Sequence, residues 1–176
     1  EHTPYLWENM ITIEDRWTLK TASNNWNTSF NANSDGVAEM YVNYSGGRNP
    51  FITLTANSTL YSTPYAMEMR LTPQGELIEK IIFTLQRAGD NSKYAYTAQN
   101  LVANEPTSIY VDFNELFGVE DDHAIYPINL NTIKFSVATS AEKQEYRIPI
   151  EGIYLHYKGL PGQTTQLDNL LQSEVA

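Results

Sequence analysis

Apolar residues recur at every second position over most of the chain. In Ala38-Glu39-Met40-Tyr41-Val42-Asn43 the apolar positions alternate with polar ones, the period of a strand with one buried face. Residues 66–71 place Met67, Met69 and Leu71 on one face and Glu68 and Arg70 on the other. Residues 80–87 place Ile81, Phe83 and Leu85 inward and Ile82, Thr84 and Gln86 outward. Residues 108–113 and 132–138 repeat the pattern with Ile109, Val111 and Phe113, then Ile133, Phe135 and Val137. Further strands are predicted over 16–20, 27–31, 51–55, 93–98 and 146–157. Pro149 and Gly152 inside the last of these predict a bulge, since proline donates no ladder hydrogen bond and glycine tolerates unusual backbone angles.

Turn residues separate these runs: Asp35-Gly36, Gly46-Gly47, Thr63-Pro64, Pro73-Gln74-Gly75, Gly89-Asp90-Asn91 and Asn104-Glu105-Pro106. Pro73-Gln74-Gly75 and Gly89-Asp90-Asn91 are expected to close hairpins, which would make 66–71 and 80–87 neighbours. Asn114-Glu115-Leu116-Phe117-Gly118 reads as one helical turn, and the acidic run Glu120-Asp121-Asp122 as a solvated loop. Short strands with turns every eight to twelve residues predict an all-β, two-sheet antiparallel sandwich. The sandwich is expected over residues 1–158, with 159–176 a linker or the start of a following segment.

Composition narrows the functional classes. The 176 residues carry a formal net charge of −10, and 18% of them are charged. A pI near 4.6 is wrong for nucleic acid, whose binding rests on neutralising phosphates with Lys and Arg. No stretch approaches the roughly 20 apolar residues of a membrane-spanning helix. The absence of cysteine removes disulfides, thiolate metal sites and cysteine nucleophiles. The 12 Tyr, 3 Trp and 6 Phe, with abundant Asn, Thr, Ser and Gln, give a neutral, hydrogen-bonding surface common in secreted β-proteins. The first five residues have no basic start and no apolar segment follows them, so the chain reads as a mature or excised piece. Its expected location is extracellular, periplasmic or on the cell surface.

The succession Ala66-Met67-Glu68-Met69-Arg70-Leu71, Ile81-Ile82-Phe83-Thr84-Leu85-Gln86 and Lys93-Tyr94-Ala95-Tyr96 is followed by Ser108 to Phe117, Asn131 to Val137 and Ile150 to Leu155. It resembles the β-jelly-roll carbohydrate-binding modules of polysaccharide-degrading bacteria, and most closely their galactose-binding-like members that bind β-glucans and xylans. The resemblance covers residues 10–157 as a pattern, without a diagnostic motif. It implies a jelly roll holding sugar on one sheet's outer face or at the loop rim, attached to a larger secreted enzyme. It also implies a structural Ca²⁺ tying the first strand to the last, with no other cofactor required. The candidate ligands are Glu14, Asp15, Asp35 and Glu151, although the family's last strand carries Asp where this chain has Glu151.

Sugar recognition needs aromatic rings for the apolar faces of pyranoses and planar amide, carboxylate or guanidinium groups for their hydroxyls. The candidates are Glu68 and Arg70 on one strand, Thr84 and Gln86 on its expected hairpin partner, and Tyr94 and Tyr96 on the next. Trp26, set in Asn24-Asn25-Trp26-Asn27, is the favoured stacking platform because an exposed indole needs a covering ligand. Tyr41 should face outward beside core Met40 and Val42. Trp17 alternates with Leu19 and is expected in the core. The catalytic motifs of serine hydrolases, zinc proteases, P-loop enzymes and dinucleotide-binding enzymes are absent. The sharpest enzymatic rival is a jelly-roll polysaccharide lyase or glycoside hydrolase; a structural or adhesion sandwich is the third reading. The acidic balance disfavours a polyanionic substrate, leaving a neutral polysaccharide as the expected partner.

Overall fold

The computed structural model describes residues 6–10, 17–21, 26–33, 35–46, 51–60, 64–87, 91–119 and 127–157. Glu14, the run Glu120-Asp121-Asp122 and the segment 159–176 lie outside the described residues. The elements are β1 (Leu6–Asn9), β2 (Thr18–Thr21), β3 (Asn27–Ala32), β4 (Ala38–Asn43), β5 (Phe51–Leu60) and β6 (Ala66–Leu71). They continue with β7 (Ile78–Arg87), β8 (Lys93–Ala98), β9 (Thr107–Asp112), α1 (Phe113–Phe117), β10 (Ile128–Val137) and β11 (Glu145–Tyr157).

All pairings are antiparallel, in two sheets. The first, sheet A, runs β3-β4-β11-β6-β9, with β1 also paired to β11; the second, sheet B, runs β2-β5-β10-β7-β8. The chain changes sheets at every step from β1 to β11 except β3 to β4 and β7 to β8. That alternation makes the sandwich a jelly roll. The inward residues of both sheets form one core, in which Phe83, Phe113, Phe135, Met40, Met69 and Leu77 are fully buried.

Local chemistry explains the turns and ends. Between β3 and β4 the Asn33 side chain accepts from the backbone N–H groups of Asp35 and Val37 at 2.9 and 3.1 Å. Gly36 there takes φ 81, a left-handed conformation that glycine adopts without steric cost. Helix α1 starts at Asp112, whose carboxylate accepts from the Glu115 N–H at 3.0 Å. It ends at Gly118 with φ 69, a left-handed cap. The predicted bulge in β11 is present: the register against β6 shifts between Ile150 and Gly152.

Two expectations are corrected. The Pro73-Gln74-Gly75 turn does not close a hairpin, because β6 pairs with β9 and β11 whereas β7 pairs with β8 and β10. The turn carries the chain across the sandwich, and Pro73 is buried in the crossing. Trp26 is not an exposed platform. It is 6% exposed in the core, its ring stands edge-on to Tyr44 at 5.1 Å, and its Nε1–H donates to the Gly46 carbonyl at 2.8 Å. One hydrogen bond satisfies the indole's polar handle and frees the rest of the ring for burial.

Candidate functional site

The outer face of sheet A carries the most organised polar chemistry among the described residues. Alternation in β6 puts Glu68 and Arg70 on this face while Met67, Met69 and Leu71 enter the core. Tyr154 and His156 of β11 stand opposite Glu68 and Ala66, and Ser108 and Tyr110 of β9 stand opposite Arg70 and Glu68.

Glu68 is the centre of the group. Its side chain is 0% exposed, although it lies on the face turned away from the core. Its Oε2 accepts from Arg70 Nε at 3.0 Å and from the Ser108 hydroxyl, and its Oε1 meets His156 Nε2 at 2.9 Å. Burial by itself pushes the carboxyl pKa up. The Arg70 and Ser108 hydrogen bonds, with the nearby Arg70 and His156 charges, outweigh it and hold the value below the usual 4.5. Glu68 is therefore ionised and can only accept, which assigns the proton to Nε2 of His156. The imidazole sits between the rings of Tyr65 and Tyr110, at 6.1 and 5.4 Å. Tyr110 is pushed up to about 12, first by burial and then by Tyr65, Asp112 and Glu68.

The anchored Arg70 remains 30% exposed, with its guanidinium 4.8 Å from the centroid of the Tyr154 ring. Tyr154 lies flat because Gly152 leaves room for it: a Cβ on Gly152 would collide with ring atoms Cε2 and Cζ and with the hydroxyl oxygen. Beside this stack an open cleft of about 410 Å³ is lined by Arg70, Pro106, Thr107, Ser108 and Glu151. Glu151 is held in place by the Thr72 hydroxyl at 2.8 Å. The volume falls in the range of small-ligand sites. The cleft presents a charged fork, a carboxylate and two hydroxyls, with the Tyr154 ring beside it under the guanidinium, and these groups can hydrogen-bond a polyhydroxylated ligand.

A second cluster occupies the β3 side of the same face. The Tyr41 hydroxyl donates to Glu145 at 2.8 Å, Arg147 lies 4.8 Å over the Tyr41 ring, and Arg147 Nη1 bridges to Glu39 at 2.8 Å. The hydrogen bond to Glu145 is the first cause of the raised Tyr41 pKa; burial and the Glu145 charge add to it, and Arg147 opposes it.

The eight sugar-binding candidates therefore separate. Tyr41, Glu68 and Arg70 share the outer face of sheet A, and Glu68 is buried beneath it instead of exposed on it. Thr84 and Gln86 lie on the outer face of sheet B, on the other side of the molecule, because β6 and β7 belong to different sheets. Gln86 is occupied there with Asn91 and Asn131. Tyr94 and Tyr96 do not share their face: they register with Leu85 and Phe83, which turns them inward. Tyr94 meets Phe117 edge-on at 4.6 Å, and Tyr96 emerges at the sandwich edge. Trp26 is in the core. The site residues missed by sequence reasoning are Ser108, Thr107 and Thr72. None carries a local signal, since strands distant in sequence bring them together.

Of the metal candidates, Glu14 and Asp15 lie outside the described residues. Asp35 lies exposed in the β3–β4 turn and Glu151 lines the sugar-sized cleft. Among the described residues no group of three or more His, Asp or Glu side chains converges on a metal position. An amide provides a tie in that region: Asn9 of β1 donates to the Gly36 carbonyl at 2.8 Å and accepts from the Ile153 N–H of β11 at 3.1 Å.

No family model and no curated protein matches this sequence. Solved structures do. The chain is similar to a carbohydrate-binding module from the β-sandwich superfamily studied for promiscuous specificity, with 14% identity and a TM-score of 0.55. That match covers 82% of this chain and 59% of the other, so the chain spans about three-fifths of that structure's length. It is also similar to the family 11 carbohydrate-binding module of Clostridium thermocellum in complex with a β-1,3-1,4-mixed-linked tetrasaccharide. There the identity is 13% and the TM-score 0.50, over 85% of this chain and 95% of that one. The structural neighbours are thus carbohydrate-binding modules, and at these identities the property shared with this chain is the β-sandwich fold.

Proposed function

We propose that this sandwich is a non-catalytic carbohydrate-binding module that holds neutral plant cell-wall polysaccharide, β-glucan or xylan preferred, on the outer face of sheet A. The observation that carries the reading is the Arg70–Tyr154 stack beside the cleft, with Arg70 anchored from below by buried Glu68. Such a constellation is set before the ligand arrives, so little ordering cost opposes binding. The module would tether a larger secreted enzyme to its substrate, raising local concentration, at an extracellular, periplasmic or cell-surface location. Among the described residues no helix is long and apolar enough to cross a membrane.

The buried setting of Glu68 and Tyr110 supports binding without turnover. A glycosidase acid needs a carboxyl with a raised pKa, whereas Glu68 is shifted down. A lyase tyrosine acting as base needs an accessible phenolate, whereas Tyr110 is pushed up to about 12. Affinity electrophoresis against β-glucan, xylan, mannan and pectin tests the proposal, with reducing-end and unsaturated-product assays run in parallel. Retardation by β-glucan or xylan without products is the expected result. Turnover of any glycan would replace this reading with a hydrolase or lyase, and silence across the panel would leave a spacer sandwich.

A further inference from the structure

The cleft beside Arg70 does not stop at the edge of sheet A. Thr107 and Ser108 of β9 also line a second open groove, of about 310 Å³, on the flank where β9 of sheet A approaches β8 of sheet B. The same two residues form the floor between the grooves. The flank groove is lined further by Tyr96, Gln99, Asn100, Val102 and Tyr110. Tyr96 at 39% and Val102 at 55% are the exposed large apolar side chains among the described residues, and both stand here. Tyr96 rests against core Phe83, ring centroids 6.4 Å apart, which holds the aromatic ring in position. The connecting loop is tied down as well. The Asn104 N–H donates to the Pro73 carbonyl at 2.7 Å, and the Asn104 side chain accepts from the Gly75 N–H at 3.0 Å.

We infer that the flank groove is a second subsite for the same ligand, so that a linear neutral glycan runs from the Arg70–Tyr154 stack over β9 to a platform made by Tyr96 and Val102. This inference rests on the function proposed above and adds to it a direction and a mode: the chain is read internally across the strand edge. An apolar pair with the amides of Gln99 and Asn100 beside it has the chemistry of a pyranose site, a ring face plus planar hydrogen-bonding groups. Among the described residues no charged side chain lines this groove, which fits a neutral sugar and gives an acidic one nothing to pair with.

The test is isothermal titration of mixed-linkage β-glucan and xylan oligosaccharides, from disaccharide to octasaccharide, against the wild type, Tyr96→Ser and Val102→Ser. Melting curves confirm that each variant is folded; Val102, in an exposed loop, is the safer substitution. For the wild type, affinity should keep rising past the length that fills the first cleft. In each variant that additional gain should shrink by about fivefold to tenfold, the loss of one apolar contact. A wild type that binds the short sugars with no further gain from length overturns the subsite and leaves the proposed function intact. Folded variants that keep the full gain do the same. A wild type that binds no oligosaccharide overturns both. A change in sedimentation on Tyr96→Ser would make the flank a contact between copies of this chain and overturn the subsite.

Discussion

Replacing Gly152 by alanine should damage both stability and binding, and the structure sets the size of the effect. The added methyl would stand 2.6 Å from the Tyr154 hydroxyl oxygen and closer still to ring carbons Cε2 and Cζ, where ordinary contact begins at 3.4 Å. The ring must therefore lift from the sheet by roughly 1 Å or more, which forfeits much of its contact with the backbone beneath. Overpacking of this kind costs about 1–3 kcal/mol. For a domain of this size each kcal/mol lowers Tm by about 2–4 °C, so Tm should fall by about 2–12 °C. The lifted ring also loses its seat under the Arg70 guanidinium, now at 4.8 Å, and glycan affinity should fall about tenfold if one stacking contact is lost. Calorimetry and affinity electrophoresis read the two effects. The double variant Gly152→Ala with Tyr154→Ala separates them: with no ring to strike, the methyl should add little destabilisation to that of Tyr154→Ala alone, while binding stays weak. A Gly152→Ala protein that melts and binds like the wild type would refute the argument that glycine is needed here to seat the ring.

Other outcomes follow from the same geometry. Glu68→Gln should destabilise by about 2–3 kcal/mol, less than the ~3–5 of a fully enclosed pair because Arg70 keeps 30% exposure; urea unfolding reads it. Because the folded-state pKa of Glu68 lies below 4.5, its contribution is complete above that value and lost as pH falls through the lower one. The acid limb of stability should accordingly flatten in the Gln variant. Trp26→Ala should cost about 3–5 kcal/mol of stability, while the folded fraction binds glycan normally, as a core residue requires. Thr84→Ala with Gln86→Ala should leave affinity unchanged, and a loss would move the ligand to sheet B. Asn9→Ala should lower Tm by removing the tie between the β3–β4 turn and β11; a fall in Tm on adding EDTA, reversed by Ca²⁺, would assign a calcium to the acidic candidates.

The strands were legible because burial of one sheet face writes itself as a period of two. The alternation in 38–43 and 66–71 reproduces β4 and β6 to the residue. Sheet membership was not legible, since a Pro-Gln-Gly turn is equally compatible with a hairpin and a crossing; the core's need to cover both inner faces decides between them. That single ambiguity split Arg70 from Gln86. The inward turn of Tyr94 could have been read: a hairpin after Gln86 that pairs it with Lys93 puts Tyr94 opposite Leu85. Trp26 misled because its sequence neighbours are asparagines, while its partner Gly46 lies 20 positions away. Glu68 looked like a surface acid because Ser108 and His156, 40 and 88 positions away, supply the hydrogen bonds that let it be buried. Chemistry assembled from distant strands leaves no local trace.

The most direct measurement of the central claim is titration of β-glucan and xylan against the wild type, Arg70→Ala and Tyr154→Ala, with each protein shown to be folded by its melting curve. The account predicts that the wild type binds and that each substitution weakens binding about tenfold or more, the loss of a stacking or charged hydrogen-bonding contact. A wild type silent toward every neutral glycan, or folded variants that bind as the wild type does, would contradict it.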